Sequence, residues 1–197
     1  MDNSKRLFMK RAGQSSAMLM LFAYGGGKLF ASNNPIASKT KWDGLLLKDP
    51  KVLFDLPKDF SYKVIMSTGD VMTDGLKYGG RPDGMGAFEL KDGSVALVVN
   101  HETKSKDKNL ELSTSYNDSN GRPFSGGTST IVLESDGLTL RRANRSLSGT
   151  IDNCAGGTTP WNTWISCEET YRENHGYAFE VDPEADSLKG YKRLTHM

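Results

Sequence analysis

The sequence predicts an all-β fold built from antiparallel meanders, such as propeller blades or a sandwich. Three observations point there. The apolar residues fall in short runs, several rich in β-branched side chains. Glycine, 21 of 197 residues, clusters between those runs, where it serves turns and breaks helices. No stretch repeats its apolar residues with the 3.6-residue period of an amphipathic helix. Lysine and arginine (25) nearly balance aspartate and glutamate (24), which leaves neither a basic stripe for nucleic acid nor an acidic tail. Nucleic acid is therefore not an expected partner.

Residues 1–31 read as an export signal. Lys5, Arg6, Lys10 and Arg11 give a positive start, residues 16–24 an apolar run, and Gly25, Gly26 and Gly27 a break. That run is too short to span a bilayer, so no transmembrane span is expected. Residues 4–10 resemble a twin-arginine signal with Lys5 in place of the first arginine. The expected partner is the twin-arginine or the general export machinery, and the expected location is periplasmic or otherwise exported. The alternative is a buried N-terminal helix, which the charge asymmetry and the triglycine disfavour. Cleavage is expected near Ala31; Leu29 is not the small residue a cleavage site prefers, which leaves an uncleaved anchor as the alternative.

A polar linker over residues 32–41 leads to an ordered region, 42–197, that begins at Trp42. Residues 45–47 and 53–56 are short apolar segments, the second stopped by Pro57. Residues 62–66 read as a strand, and the glycine-rich stretch 69–86 as a long loop. Residues 94–99 are β-branched and nearly all apolar, which predicts a strand buried on both faces and ending at Asn100, His101 and Glu102. A polar loop over 104–126 follows. Residues 128–133 and 138–143 read as a hairpin across Ser135, Asp136 and Gly137. Residues 163–167 and 177–181 complete the strands, and Gly-Gly-Thr at 126–128 and 156–158 hints at a repeated blade start.

Strand ends are where a scaffold exposes side chains, and three of these segments carry hard-metal ligands. They are Asn100, His101 and Glu102; Glu168 and Glu169; and Asp70, Asp74 and Asp83 in the first glycine-rich loop. Carboxylate and amide oxygens suit calcium, whereas a thiolate or imidazole adds affinity for iron. The plainer reading of each acid is a solvated surface loop. No second histidine follows His101 at zinc-protease spacing. Residues 153–169 are the most informative: two tryptophans flank a turn, and a strand then delivers Cys167, Glu168 and Glu169. Trp161 and Trp164 can equally be core anchors, and Cys154 a small buried residue. An exported chain with two cysteines also admits a Cys154–Cys167 disulfide.

This stretch resembles the Asn-Cys-Ala-Gly-Gly-Thr-Pro-Trp-Gly-Thr-Trp-Cys-Glu-Glu signature of PhoX-type alkaline phosphatases, with Asn162 in place of the glycine between the tryptophans. Residues 83–88, 99–102, 126–129, 175–177 and 180–183 add to the resemblance, which extends from about Ser61 to the end; residues 81–88 differ from the phosphatases themselves.

The resemblance implies a β-propeller bearing an exported phosphomonoesterase site for a small-molecule phosphoester, with ferric iron, Fe(III), and calcium, Ca(II), as cofactors. By motif position it makes Cys154 the iron-bridging thiolate and a metal ligand in preference to a disulfide partner. It makes Glu102 and Glu169 carboxylate ligands, with Glu168 a further one, and Asn100, His101 and Asp83 possible support. Two alternatives are a calcium-dependent propeller hydrolase of another ester, such as a lactone, and a non-catalytic, calcium-stabilised binding propeller. Members of the family are longer, so the expectation is an N-terminal part holding early blades, neither a closed domain nor active alone.

The export reading has a direct test. Fused to a reporter active only outside the cytoplasm, residues 1–34 are expected to give signal, and Lys5→Arg to leave or raise it. A silent fusion beside a working control signal contradicts export.

Overall fold

This computed structural model describes residues 45–106, 113–117, 121 and 123–194. The expected export signal and linker lie outside the described residues. Within them, all regular structure is strand, with no helix, so none is long and apolar enough to cross a membrane.

Residues 45–61 belong to a unit separate from residues 62–194. In it β1 (Leu46–Leu47) pairs antiparallel with β2 (Leu56–Pro57). The Asp49 carboxylate shapes the turn by accepting the backbone N–H groups of Lys51, Leu53 and Phe54.

The second unit holds two successive four-stranded antiparallel meanders, both open. The first runs β3 (Pro82–Glu89), β4 (Val95–His101), β5 (Phe124–Leu133) and β6 (Leu140–Gly149), in that spatial order. The second runs β7 (Asn153–Thr158), β8 (Trp164–Glu168), β9 (Ala178–Val181) and β10 (Lys192–Arg193), also in order. Side chains alternate across a strand, so β4 supplies two cores. Ala96 and Val98 join Phe88, Val132 and Leu147 against Trp164, Phe179 and Val181 of the second sheet. On the other face Val99 packs with Ile131, Leu133 and Ala143 under Met72 and Tyr78. The unbroken apolar run of β4 thus reflects burial on both faces.

Several expectations need correction. Residues 62–66 form no strand; Ile65 and Met66 pack against the second core from irregular backbone. Residues 82–86 belong to strand β3 and not to a loop. Their glycines answer close approach: a Cβ on Gly84 would lie 2.5 Å from the Cys154 carbonyl oxygen, and one on Gly86 2.6 Å from the Trp164 ring. Residues 153–158, to which the sequence assigns no strand, form β7. The two Gly-Gly-Thr segments fall on β5 and β7, the third strand of one sheet and the first of the other, so they mark no repeat.

The link from β6 to β7 crosses the ends of β5 and β4. Thr150 bridges Gly126, and the Asp152 N–H donates to the Thr103 carbonyl at 3.0 Å. It sets β7 against β3, and the amide of Asn100 then clamps the two sheets together. Its Nδ2 donates to the carbonyls of Cys154 (3.1 Å) and Ala155 (3.0 Å). Its Oδ1 accepts from Trp164 Nε1 (3.0 Å) and Ser166 Oγ (2.8 Å). Ser166 Oγ in turn accepts from Asn153 Nδ2 at 2.9 Å, and Asn100, Asn153 and Ser166 are wholly buried.

Asn100→Ala would strand these buried donors and acceptors, at on the order of 3 kcal/mol. Denaturant unfolding of the variant is expected to show that loss; a change below about 0.5 kcal/mol, the ordinary scatter of surface substitutions, contradicts the clamp.

Candidate functional site

The first hairpins of the two sheets are built alike. In the first, Pro82 pairs with His101 and Met85 with Val99; in the second, Asn153 pairs with Glu168 and Gly156 with Ser166. Each places a bulge at the same register, and a bulge re-aims the side chains within it. Asp83 and Cys154 occupy equivalent bulge positions, and Glu102 and Glu169 equivalent positions just past β4 and β8. Preceding each bulge is a left-handed residue, Arg81 (φ 47°) and Asp152 (φ 49°). The carbonyl of Arg81 accepts the Glu102 N–H at 3.0 Å, and that of Asp152 accepts the Glu169 N–H at 2.9 Å.

Because β3 and β7 lie together, the two hairpin ends meet. The Cys154 thiol lies beside the Glu169 carboxylate, and the charges of Glu169, Asp83 and Glu102 act on it. Glu169 as acceptor, then burial, then these charges push the thiol up to about 11. Asp83 and Glu169 are exposed and Cys154 and Glu102 half-buried, so the groups line an open end. Among the described residues no three His, Cys, Asp or Glu are already drawn to metal-ligand spacing. Glu102 has a cation of its own, Arg81, at 3.0 Å.

Other expected site residues lie elsewhere. Asn100 supports the site through the Cys154 carbonyl, as described above. His101 faces the opposite side of β4, where its Nε2 meets Ser129 Oγ at 2.8 Å and Tyr78 packs edge-on at 4.9 Å. Burial, then the Arg145 charge, holds it down at about 4, so it is neutral at pH 7. The Glu168 carboxylate is turned inward with no exposure. It accepts the N–H groups of Ile151 (2.9 Å), Gly176 (2.8 Å) and Tyr177 (3.1 Å) and pairs with His175 Nδ1 at 2.8 Å. It ties the 150–152 crossover to the 175–177 loop and is not brought to Cys154. Asp70 and Asp74 fold their own loop: Asp70 accepts Ser67 N–H, and Asp74 accepts Arg145 N–H, each at 2.7 Å. Cys154 and Cys167 are both free. Asn162 takes a left-handed φ of 68°, a conformation glycine adopts freely and asparagine tolerates.

Asp152, Arg81 and Lys104 were not singled out in the sequence. Their signal was adjacency alone: Asp152 sits two residues before Cys154, and Arg81 two before Asp83.

The described residues are all-β and carry a thiol and three carboxylates at the two hairpin ends where the sheets meet. A family model described as alkaline phosphatase PhoX matches residues 42–197. The chain belongs to the PhoX alkaline phosphatase family. Comparison with curated proteins and with solved structures gives no match.

The raised thiol gives a pH-dependent outcome. Below about pH 11 Cys154 is mainly protonated, so it reacts slowly with iodoacetamide at pH 8.5 in chelator. Glu169→Gln removes the carboxylate charge and leaves only a weaker amide acceptor, and alkylation of Cys154, followed by mass spectrometry, is expected to quicken several-fold. An unchanged or slower rate contradicts the gathering of these groups.

Proposed function

We propose that the meeting point of the two hairpins is the metal centre of a phosphoester hydrolase, acting on a small-molecule phosphate ester outside the cytoplasm. The observation that carries this reading is the shared register of the two hairpins, which puts Asp83 and Cys154 in equivalent bulges and Glu102 and Glu169 at equivalent strand ends where β3 meets β7. A soft thiolate beside hard carboxylates suits iron with calcium, and Cys154, Glu169, Glu102 and Asp83 are the residues to hold them. Glu168, already occupied by four hydrogen-bond donors, serves as scaffold in this reading. Ferric iron and calcium would supply Lewis acidity towards phosphate oxygens.

The residues of the chain define the rest. A thiol held protonated by its neighbours is a poor nucleophile but a ready ligand, because a nearby cation releases its proton. Asn100 fixes the Cys154 backbone, so the thiol is presented at one position. The open end leaves room for an anionic ester, and Arg81 and Lys104 place positive charge at its rim. Two consecutive meanders with first strands side by side, joined across the sheet ends, further support successive blades of a propeller. Residues 1–31 remain the proposed export signal.

Metal analysis tests the reading. Cys154→Ser is expected to lose most of the bound iron and its visible absorption, whereas Cys167→Ser, on β8 and paired with Ala178 of β9, keeps both. Equal iron in wild type and Cys154→Ser contradicts it, as does a Cys154–Cys167 disulfide in active protein.

A further inference from the structure

The likeness of the two hairpins makes their one reversed charge informative. At the first, the left-handed residue is Arg81, whose guanidinium meets the Glu102 carboxylate at 3.0 Å. At the second, the same backbone position holds Asp152, an acid beside the acid Glu169. Where one hairpin carries its own cation, the other carries a second negative charge.

Asp152 is also buried in a way that calls for a partner. Its side chain is only 6% exposed, and its Oδ1 is buried with no hydrogen-bond partner among the described residues. The other oxygen, Oδ2, has Lys104 Nζ at 3.5 Å, from a lysine side chain 66% exposed. A buried carboxylate oxygen without a donor is costly, and a mobile surface lysine compensates little of it. The backbone fixes the residue between the two hairpins, with its N–H on Thr103, next to Glu102, and its carbonyl on the Glu169 N–H. Left-handed φ at a residue that is not glycine also costs energy, and such positions persist where function holds them.

We infer that Asp152 is a direct ligand of a hard divalent or trivalent cation, calcium by its all-oxygen chemistry, sitting beside Glu169 where Arg81 sits beside Glu102. This rests on the metal-centre reading and adds to it a carboxylate that the motif positions did not supply. Lys104 then acts as a weak stand-in that the cation displaces.

Terbium, a luminescent calcium mimic, tests the assignment in the full chain. Trp164 hydrogen-bonds the same Asn100 that holds Cys154, so it stands near enough to sensitise the ion. Saturable terbium luminescence, competed by calcium, is expected for the unsubstituted protein. Asp152→Asn is expected to weaken binding at least tenfold. Asp152→Gly provides the same loss with the left-handed backbone relaxed, so that a folding defect in one variant does not decide the result. Lys104→Gln is expected to bind as well as wild type or better. Wild-type binding with Asp152→Asn or Asp152→Gly folded and unchanged within twofold overturns the inference while leaving the metal centre standing. No saturable binding to the unsubstituted protein overturns both, and weaker binding in Lys104→Gln overturns the stand-in role of the lysine.

Discussion

The side-chain amide of Asn100 is the interaction on which the rest of this structure depends. It is wholly buried, and each of its polar atoms is used across the junction between the sheets: two donors on the β7 backbone, one acceptor shared by Trp164 and Ser166 of β8. Buried amides must be satisfied or they destabilise, so this one fixes the distance and register between sheets as few apolar contacts can. The apolar side chains of β4 hold the sheets together; Asn100 specifies how. Gly84 completes the arrangement, since any larger residue would keep β3 off the Cys154 carbonyl.

From that junction follows the electrostatics. Two hairpins with the same bulge register bring Asp83 and Glu102 from one side, and Cys154 and Glu169 from the other. Glu169 as hydrogen-bond partner, then burial, then the charges of Glu169, Asp83 and Glu102 push the Cys154 thiol up to about 11. Glu102 has a close counter-ion in Arg81 at 3.0 Å, whereas the equivalent place at the second hairpin adds the carboxylate of Asp152, with Lys104 at 3.5 Å. An arrangement that gathers like charges without neutralising them is unfavourable alone and becomes favourable with a cation.

Much of the fold was legible because burial on two faces leaves a plain mark: the β4 run, the hairpin across residues 135–137, and the strands at β8 and β9 were all readable. Strands β3 and β7 were not, because their glycines serve backbone contact and look like turn residues in sequence. The family was readable from residues 153–169, which hold Cys154 and Glu169; Glu102 was named as a ligand and Asp83 as possible support from the matching segments 99–102 and 83–88. What sequence could not separate was facing. Neighbours on a strand point to opposite sides, which sends Asn100 to the junction and His101 to the other core, and Glu168 inward where Glu169 turns out. The repeat was invisible for a related reason: it is a repeat of register and backbone, with Arg81 against Asp152 and Asp83 against Cys154, and matches as sparse as Glu102 against Glu169 do not mark it in sequence.

The most direct test of the account is anomalous X-ray scattering from crystals of the protein grown with iron and calcium. The account predicts an iron peak bonded to Cys154 Sγ and flanked by Glu169, with Glu102 and Asp83 turned towards the same cluster and Asn100 still on the Cys154 carbonyl. Metal peaks only at sites away from the junction of β3 and β7, with Cys154 Sγ unligated, would contradict it.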